Sequence, residues 1–420
     1  MKTILPPRFP RLSAAIALAL VATTATAADW PQWRGPNRDD ISPEGGLLKD
    51  WPADGPPLVW KAKGIGGGYS SVAVVGDKIF TLGDQADASY AYALNRATGT
   101  PVWNTKIGKA GAPGWGGFAG PRATPTVAGD SVYIIDKYGD IVCLRAKDGN
   151  EVWRKNLSKD FGGALPEWGF SESPLVDGDR VVFTPGGSAG AVVALNWKTG
   201  DLAWRCEEFK DAAHYSSVIV AEIAGVRQYI QLTDANVAGI RAKDGRLLWT
   251  AKRKGATAVI PTPIYADNCV FVTSGYGVGC NLFKIYKEGD KFETEQVYAN
   301  KVMANHHGGV VKIGDYLYGY SEGKGLVCQN FKTGEMVWNE KERAAKGSVT
   351  FADGHLYCRE EGGKGTVMLV EATPAGYRES GRFNPPDRSD KNSWAHPVVS
   401  SGKLYLRDQD VLLCYDVKQK

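Results

Sequence analysis

A turn followed by a tryptophan recurs along this chain at a nearly fixed period. A chain built this way buries its apolar faces only by stacking one copy on the next. Segments 93–99, 143–149 and 194–200 each end in a Thr-Gly or Asp-Gly turn, and Trp103, Trp153 and Trp204 follow four residues after the glycine. The pattern returns at Gly245 with Trp249 and at Gly334 with Trp338; Gly289 and Gly376 close weaker copies without the tryptophan. Successive turn glycines lie 50, 51, 45, 44, 45 and 42 residues apart. That is the length of a four-stranded propeller blade.

A second signal interleaves with the first. Short apolar strands meet a Gly-Asp-type turn and return as β-branched or aromatic strands at 72–80, 126–133, 175–179, 310–315, 352–355 and 400–403. Such two-residue turns make tight hairpins. Each unit therefore reads as strand A, hairpin, strand B, turn, strand C, Thr-Gly hairpin, strand D. Eight units are readable. The eighth begins near Trp394 and stops after Val411 to Asp416, short of an outer strand, whereas Pro57 to Trp60 precedes the first full unit. An N-terminal strand that completes the last blade leaves no bare sheet edge. The expected fold is an all-β, eight-bladed β-propeller with four-stranded antiparallel blades, closed by that strand and almost free of helix.

The repeat also explains side chains that look functional in isolation. Trp103, Trp153, Trp204, Trp249 and Trp338 fall at matching outer positions and are expected to pack between blades. Cys143, Cys328 and Cys414 share one position with Ala93, Ala194 and Gly239, a slot for a small buried residue. Lying in three blades, these cysteines are not expected to bridge.

Lys2 to Arg11 is a basic stretch, Leu12 to Val21 is apolar, and Ala25, Thr26 and Ala27 make a small-residue cleavage site. This order is that of a secretory signal peptide. The expected organisation is a signal peptide over 1–27, an N-terminal extension over 28–56 and the propeller over 57–420, in a periplasmic or secreted protein. The apolar run is too short to span a bilayer, and no later stretch is long enough. No cysteine follows it, so no lipid anchor is expected. The 50 Lys+Arg against 46 Asp+Glu include Lys2, Arg8 and Arg11 of the leader, so the mature chain is close to neutral. That excludes a strongly basic nucleic-acid binder.

The repeated Ala-x-Asn/Asp-x-x-Thr-Gly-x-x-x-Trp pattern resembles that of pyrroloquinoline-quinone (PQQ)-type β-propellers over about residues 57–420. The opening Asp29 to Pro36 is similar to that of exported bacterial PQQ-like and BamB-like propellers. The resemblance implies either an exported scaffold that binds a ligand or an envelope protein, or a PQQ- and calcium-dependent dehydrogenase of alcohols or sugars. The dehydrogenases carry two adjacent cysteines over the quinone, and this chain has no such pair. Their calcium ligands and catalytic Asp find no matching motif, so no catalytic residue or metal ligand is assigned and the cofactor is left unnamed.

Loops from strand D of one blade to strand A of the next lead to the channel mouth. They carry Tyr69, Arg122, Glu172, His214, His306, His307, Trp394 and His396. Trp394 or Tyr69 suits stacking on a planar ligand, Arg122 a carboxylate, Glu172 a cation, and the histidines proton exchange. These eight are the expected ligand site; otherwise they satisfy backbone where strands converge. His306 and His307 should point apart, which disfavours a shared metal. Asp136, Asp234, Glu322, Glu360, Glu361, Asp408 and Asp410 fall in B–C turns and read as solvated hairpin tips. No phosphate loop is present, so nucleotide binding is not expected.

Overall fold

The computed structural model describes residue 1, residues 28–114 and residues 118–420. The proposed leader, apart from Met1, lies outside the described residues. Eight sheets form eight blades, and no helix occurs among the described residues. Blade 1 shows the pattern, with strand A at Ala73–Val75, B at Lys78–Asp84, C at Ala88–Asn95 and D at Pro101–Lys109, each antiparallel to the next. Blades 2 to 7 span 126–156, 175–206, 219–252, 264–300, 310–340 and 347–383. Blade 8 takes strands A to C from 398–416 and its outer strand from Leu58–Lys63. Leu58 pairs with Tyr415 and Trp60 with Cys414, so the ring closes as the sequence implied.

The register explains the small-residue slot. Ala93, Cys143, Ala194, Gly239, Cys328 and Cys414 each stand opposite a strand D tryptophan: Trp103, Trp153, Trp204, Trp249, Trp338 and Trp60. A bulky neighbour there would meet the indole; at Gly239 even a Cβ would lie 2.1 Å from Trp249. All seven cysteines are free thiols.

Each indole also reaches the next blade. Trp60, Trp103, Trp153, Trp204 and Trp338 donate Nε1–H to the carbonyls of Arg96, Ala146, Trp197, Ala242 and Thr373, at 2.9–3.1 Å. Each acceptor lies three residues before the next blade's turn glycine. At four of these docks the glycine lies against the ring: a Cβ on Gly99, Gly149, Gly200 or Gly245 would sit 2.4–2.8 Å from the indole, and all four have φ near +70°. Tyr298 makes the same dock on blade 6 through Phe331. Trp249 packs in a core cluster that joins blades 4 and 5, but its Nε1–H donates to Gln228 of its own blade. Blade 5 extends its outer hairpin into ten-residue strands, Gly279–Glu288 and Lys291–Asn300, and so offers no turn at the docking height.

Residues 28–47 enter the central channel, turn and leave on the same side. Trp30 pairs with Val74, Val127 N–H donates to Pro31 and Trp33 Nε1 donates to Thr262. Arg38 donates to the Ser173 and Pro174 carbonyls, and Ile41–Ser42 return parallel to strand A of blade 7. The tip fills the channel below the mouth formed by the D–A loops.

A candidate ligand pocket at the channel mouth

The inserted tip brings charge into the core. Arg34, Arg38 and Asp40 are 2%, 3% and 0% exposed. Burying charge is tolerable only with partners. Arg34 Nε lies 3.2 Å from Asp40, whose other contact is His396 Nδ1 at 2.9 Å; Arg34 also donates to the Val310 carbonyl. His396 Nε2 donates to the His307 carbonyl, and its ring packs 4.4 Å from Trp33. Glu172 faces this layer. Burial raises its carboxyl to about 7, against hydrogen bonds from Thr184 and the nearby charge of Arg38.

Above the layer is a cavity of about 200 Å³ with Trp33 in its wall. All eight D–A loops contribute to it. Of the eight residues expected from sequence, Tyr69, Arg122, His306, His307 and Trp394 line it. Glu172 and His396 do not; they belong to the buried layer beneath. His214 is displaced too: its Nδ1 accepts the Val259 N–H and its Nε2 lies 3.8 Å from Asp234. Alternation explains Glu172: in extended chain neighbours face opposite ways, and Ser171 and Ser173 on either side of it line the cavity.

The reading of B–C turn acids as solvated tips is corrected for most of them: Asp136 and Asp408 are buried, and Glu322, Glu361 and Asp410 are engaged by neighbours, whereas Asp234 stays half-exposed. Several clamp neighbouring loops, Asp410 the D–A loop into blade 1 and Glu322 the B–C turn of blade 5. Asp410 accepts the Gly64 and Gly66 N–H groups, and Glu322 accepts those of Tyr276 and Gly277. The two histidines diverge as expected, each to an acid on a B–C turn: His306 bonds Glu322 of blade 6, and His307 bonds Glu361 of blade 7. Glu361 also accepts from Trp394 Nε1 at 3.1 Å and Lys346 at 3.1 Å. Burial opposes its ionisation, but His307 and Lys346 outweigh that and hold it down at about 2. Burial pushes His307 down to about 4, against the pull of Glu361. At neutral pH the imidazole is therefore uncharged, with Nε2–H donating to the carboxylate and Nδ1 buried without a partner.

These shifts predict acid sensitivity. A histidine lowered by folding contributes fully above its ordinary value of 6.5, and that contribution is lost as pH falls towards 4. Glu361 adds a second loss as pH falls from 4.5 through 2. Denaturant titrations between pH 6.5 and 4 should give His307→Gln a stability slope shallower than wild type by about one proton. Parallel slopes would remove His307 from this role.

Sequence reasoning missed Trp33, Phe118, Trp168, Tyr215, Tyr276 and Lys346, which also line the cavity. Trp168, Tyr215 and Lys346 stand in D–A loops and were within reach of the same argument. Trp33 was not, because no repeat position marks it.

Residues 87–339 match the family model described as outer membrane protein assembly factor BamB. The chain belongs to this family. The BamB match runs from strand C of blade 1 to strand D of blade 6. BamB of Escherichia coli K12 is 34% identical over 116 residues, which is 26% of this chain and 27% of that protein. The chain thus spans about a quarter of the length of this relative and of the Salmonella typhimurium one. BamB of Moranella endobia is 24% identical over 281 residues, 64% of this chain and 69% of that protein. Among solved structures, BamB from Moraxella catarrhalis superposes with TM-score 0.61 at 14% identity, covering 86% of this chain and 98% of that one. Quinohemoprotein alcohol dehydrogenase from Comamonas testosteroni gives 0.66 at 11%, covering 93% and 81%. At such identities the likeness is one of fold.

Proposed function

We propose that the chain is a non-catalytic interaction scaffold of the cell envelope that serves the assembly of outer membrane proteins. The observation that carries this reading is the BamB family match over residues 87–339. A rigid ring that shows many loops on one face suits such a task. In a strain lacking the chain, the folded fraction of outer membrane proteins should fall and recover on complementation. Unchanged outer membrane proteins would overturn the reading.

Export is part of the proposal. The Ala28 carbonyl accepts the Ser400 hydroxyl at 2.7 Å, and Asp29 accepts the Gly76 N–H, so the chain is held from the first residue after the small-residue motif. N-terminal sequencing of the purified protein should begin at Ala28. An intact Met1 on cytoplasmic material would refute export.

The dehydrogenase alternative meets a donor set that does not suit it. Calcium takes six to eight oxygens. Among the described residues no three His, Cys, Asp or Glu side chains converge to hold a metal. Glu322 and Glu361 at the mouth are already committed to histidines, Lys346 and backbone N–H groups. Residues 30–40 fill the channel beneath.

A further inference from the structure

One cation in the wall of the cavity lacks an acidic partner among the described residues. The lining carries Arg122, Lys346, His306 and His307, and no Asp or Glu among the described residues. Behind the wall, Glu322 bonds His306, and Glu361 bonds His307 and Lys346. Among the described residues Arg122 is matched by nothing of opposite charge: no carboxylate lies within 4 Å, and its Nη atoms reach only the Phe118 and Gly120 carbonyls of its own loop. It stands 5.7 Å over the Tyr69 ring. A largely buried guanidinium without a counter-ion gains strongly from a carboxylate.

The walls are aromatic. Trp394 packs 4.4 Å from Tyr69 and 5.0 Å from Phe118 on the side of blades 8 and 1, and Trp168 packs against Tyr215 on the side of blades 3 and 4. The serines of the lining are partly engaged. Ser173 and Ser217 accept backbone N–H groups and keep one hydroxyl hydrogen each to donate, and Ser171 donates to the Gly169 carbonyl. A sugar would bury hydroxyls here without enough partners; a flat ring would not.

We infer that the cavity binds a small aromatic carboxylate of one or two rings, with its carboxylate on Arg122 and its ring against the Trp394 wall. The inference does not depend on the assembly role, and the two can fail separately.

Calorimetric titration of the mature chain with 2-naphthoate tests it, with 2-naphthamide and glucuronate as comparison probes. The expected result is saturable 2-naphthoate binding that weakens with added salt and is at least about tenfold tighter than the amide. Glucuronate should not compete. Arg122→Gln should bring naphthoate down to the level of the amide, and Trp394→Ala should weaken both ring probes. Equal binding of naphthoate and naphthamide by the wild type would overturn the inference without recourse to a variant. So would tighter binding of glucuronate, no binding of naphthoate, or unchanged naphthoate affinity in Arg122→Gln.

Discussion

Asp40→Ala is expected to destabilise the protein by about 3–5 kcal/mol, the range for removing one partner of a buried ion pair. The carboxylate holds Arg34 at 3.2 Å and His396 at 2.9 Å, and both Arg34 and Asp40 are essentially inaccessible to water. Without it the Arg34 guanidinium keeps the Val310 and Arg38 carbonyls, neither of which carries a compensating charge. In the folded state no solvent reaches these groups, because the tip is enclosed by the inner strands and loops of the blades around it. Arg34, Arg38 and Asp40 also hold left-handed backbone, with φ of 62°, 60° and 59°, a conformation that persists only where its surroundings enforce it. Loss of the pair should therefore release the whole tip, Trp33 included. The double variant Arg34→Met with Asp40→Leu should recover part of the loss, because an apolar pair carries no desolvation cost. Urea unfolding of the three proteins measures this. A midpoint for Asp40→Ala equal to wild type would mean that residues 30–40 do not fill the channel.

How much of this was legible in sequence follows from repetition. The blade period, the closing strand and the small-residue slot each recur, so equivalent positions could be compared: Cys143 and Cys414 were intelligible because Ala93 and Ala194 occupy the same slot. The inserted tip occurs once. Arg34, Arg38 and Asp40 fall in what the sequence offers only as an N-terminal extension, and it is their burial that shows them inside the channel. The B–C acids failed for a related reason. A turn acid has the same sequence signature whether it faces water or caps a loop of a neighbouring blade, and Glu322, Glu361 and Asp410 do the second. The site was half legible. D–A topology rightly gathered Tyr69, Arg122, His306, His307 and Trp394, but it could not say which side of each loop faces the cavity, and so Glu172 and His396 were expected in a pocket they in fact underlie.

Trp153→Ala should cost about 3–5 kcal/mol, as for other buried large aromatics. The ring is 8% exposed, lies 6.0 Å from Tyr133, and is pressed on its far side by Gly200 of the next blade. Its Nε1–H reaches the Trp197 carbonyl at 3.0 Å. Truncation removes the contact surface between blades 2 and 3 together with that bond, and in a repeat array the nearest-neighbour interface carries much of the stability. The two contributions can be separated. Trp153→Phe keeps most of the ring and loses the donor, so it should cost nearer 1 kcal/mol, the net worth of a typical hydrogen bond. Gly200→Ala attacks the same dock from the other side: φ is +73° and the new methyl would sit 2.8 Å from the indole, so the ring must leave its seat. Because both changes break one contact, Trp153→Ala combined with Gly200→Ala should cost clearly less than the sum of the single losses. Trp249→Phe is the control: its donor is spent inside blade 4 on Gln228, so any loss it causes should not couple to the turn of blade 5. Strict additivity at Trp153 and Gly200 would show that the indole stabilises its own blade and not the joint between two.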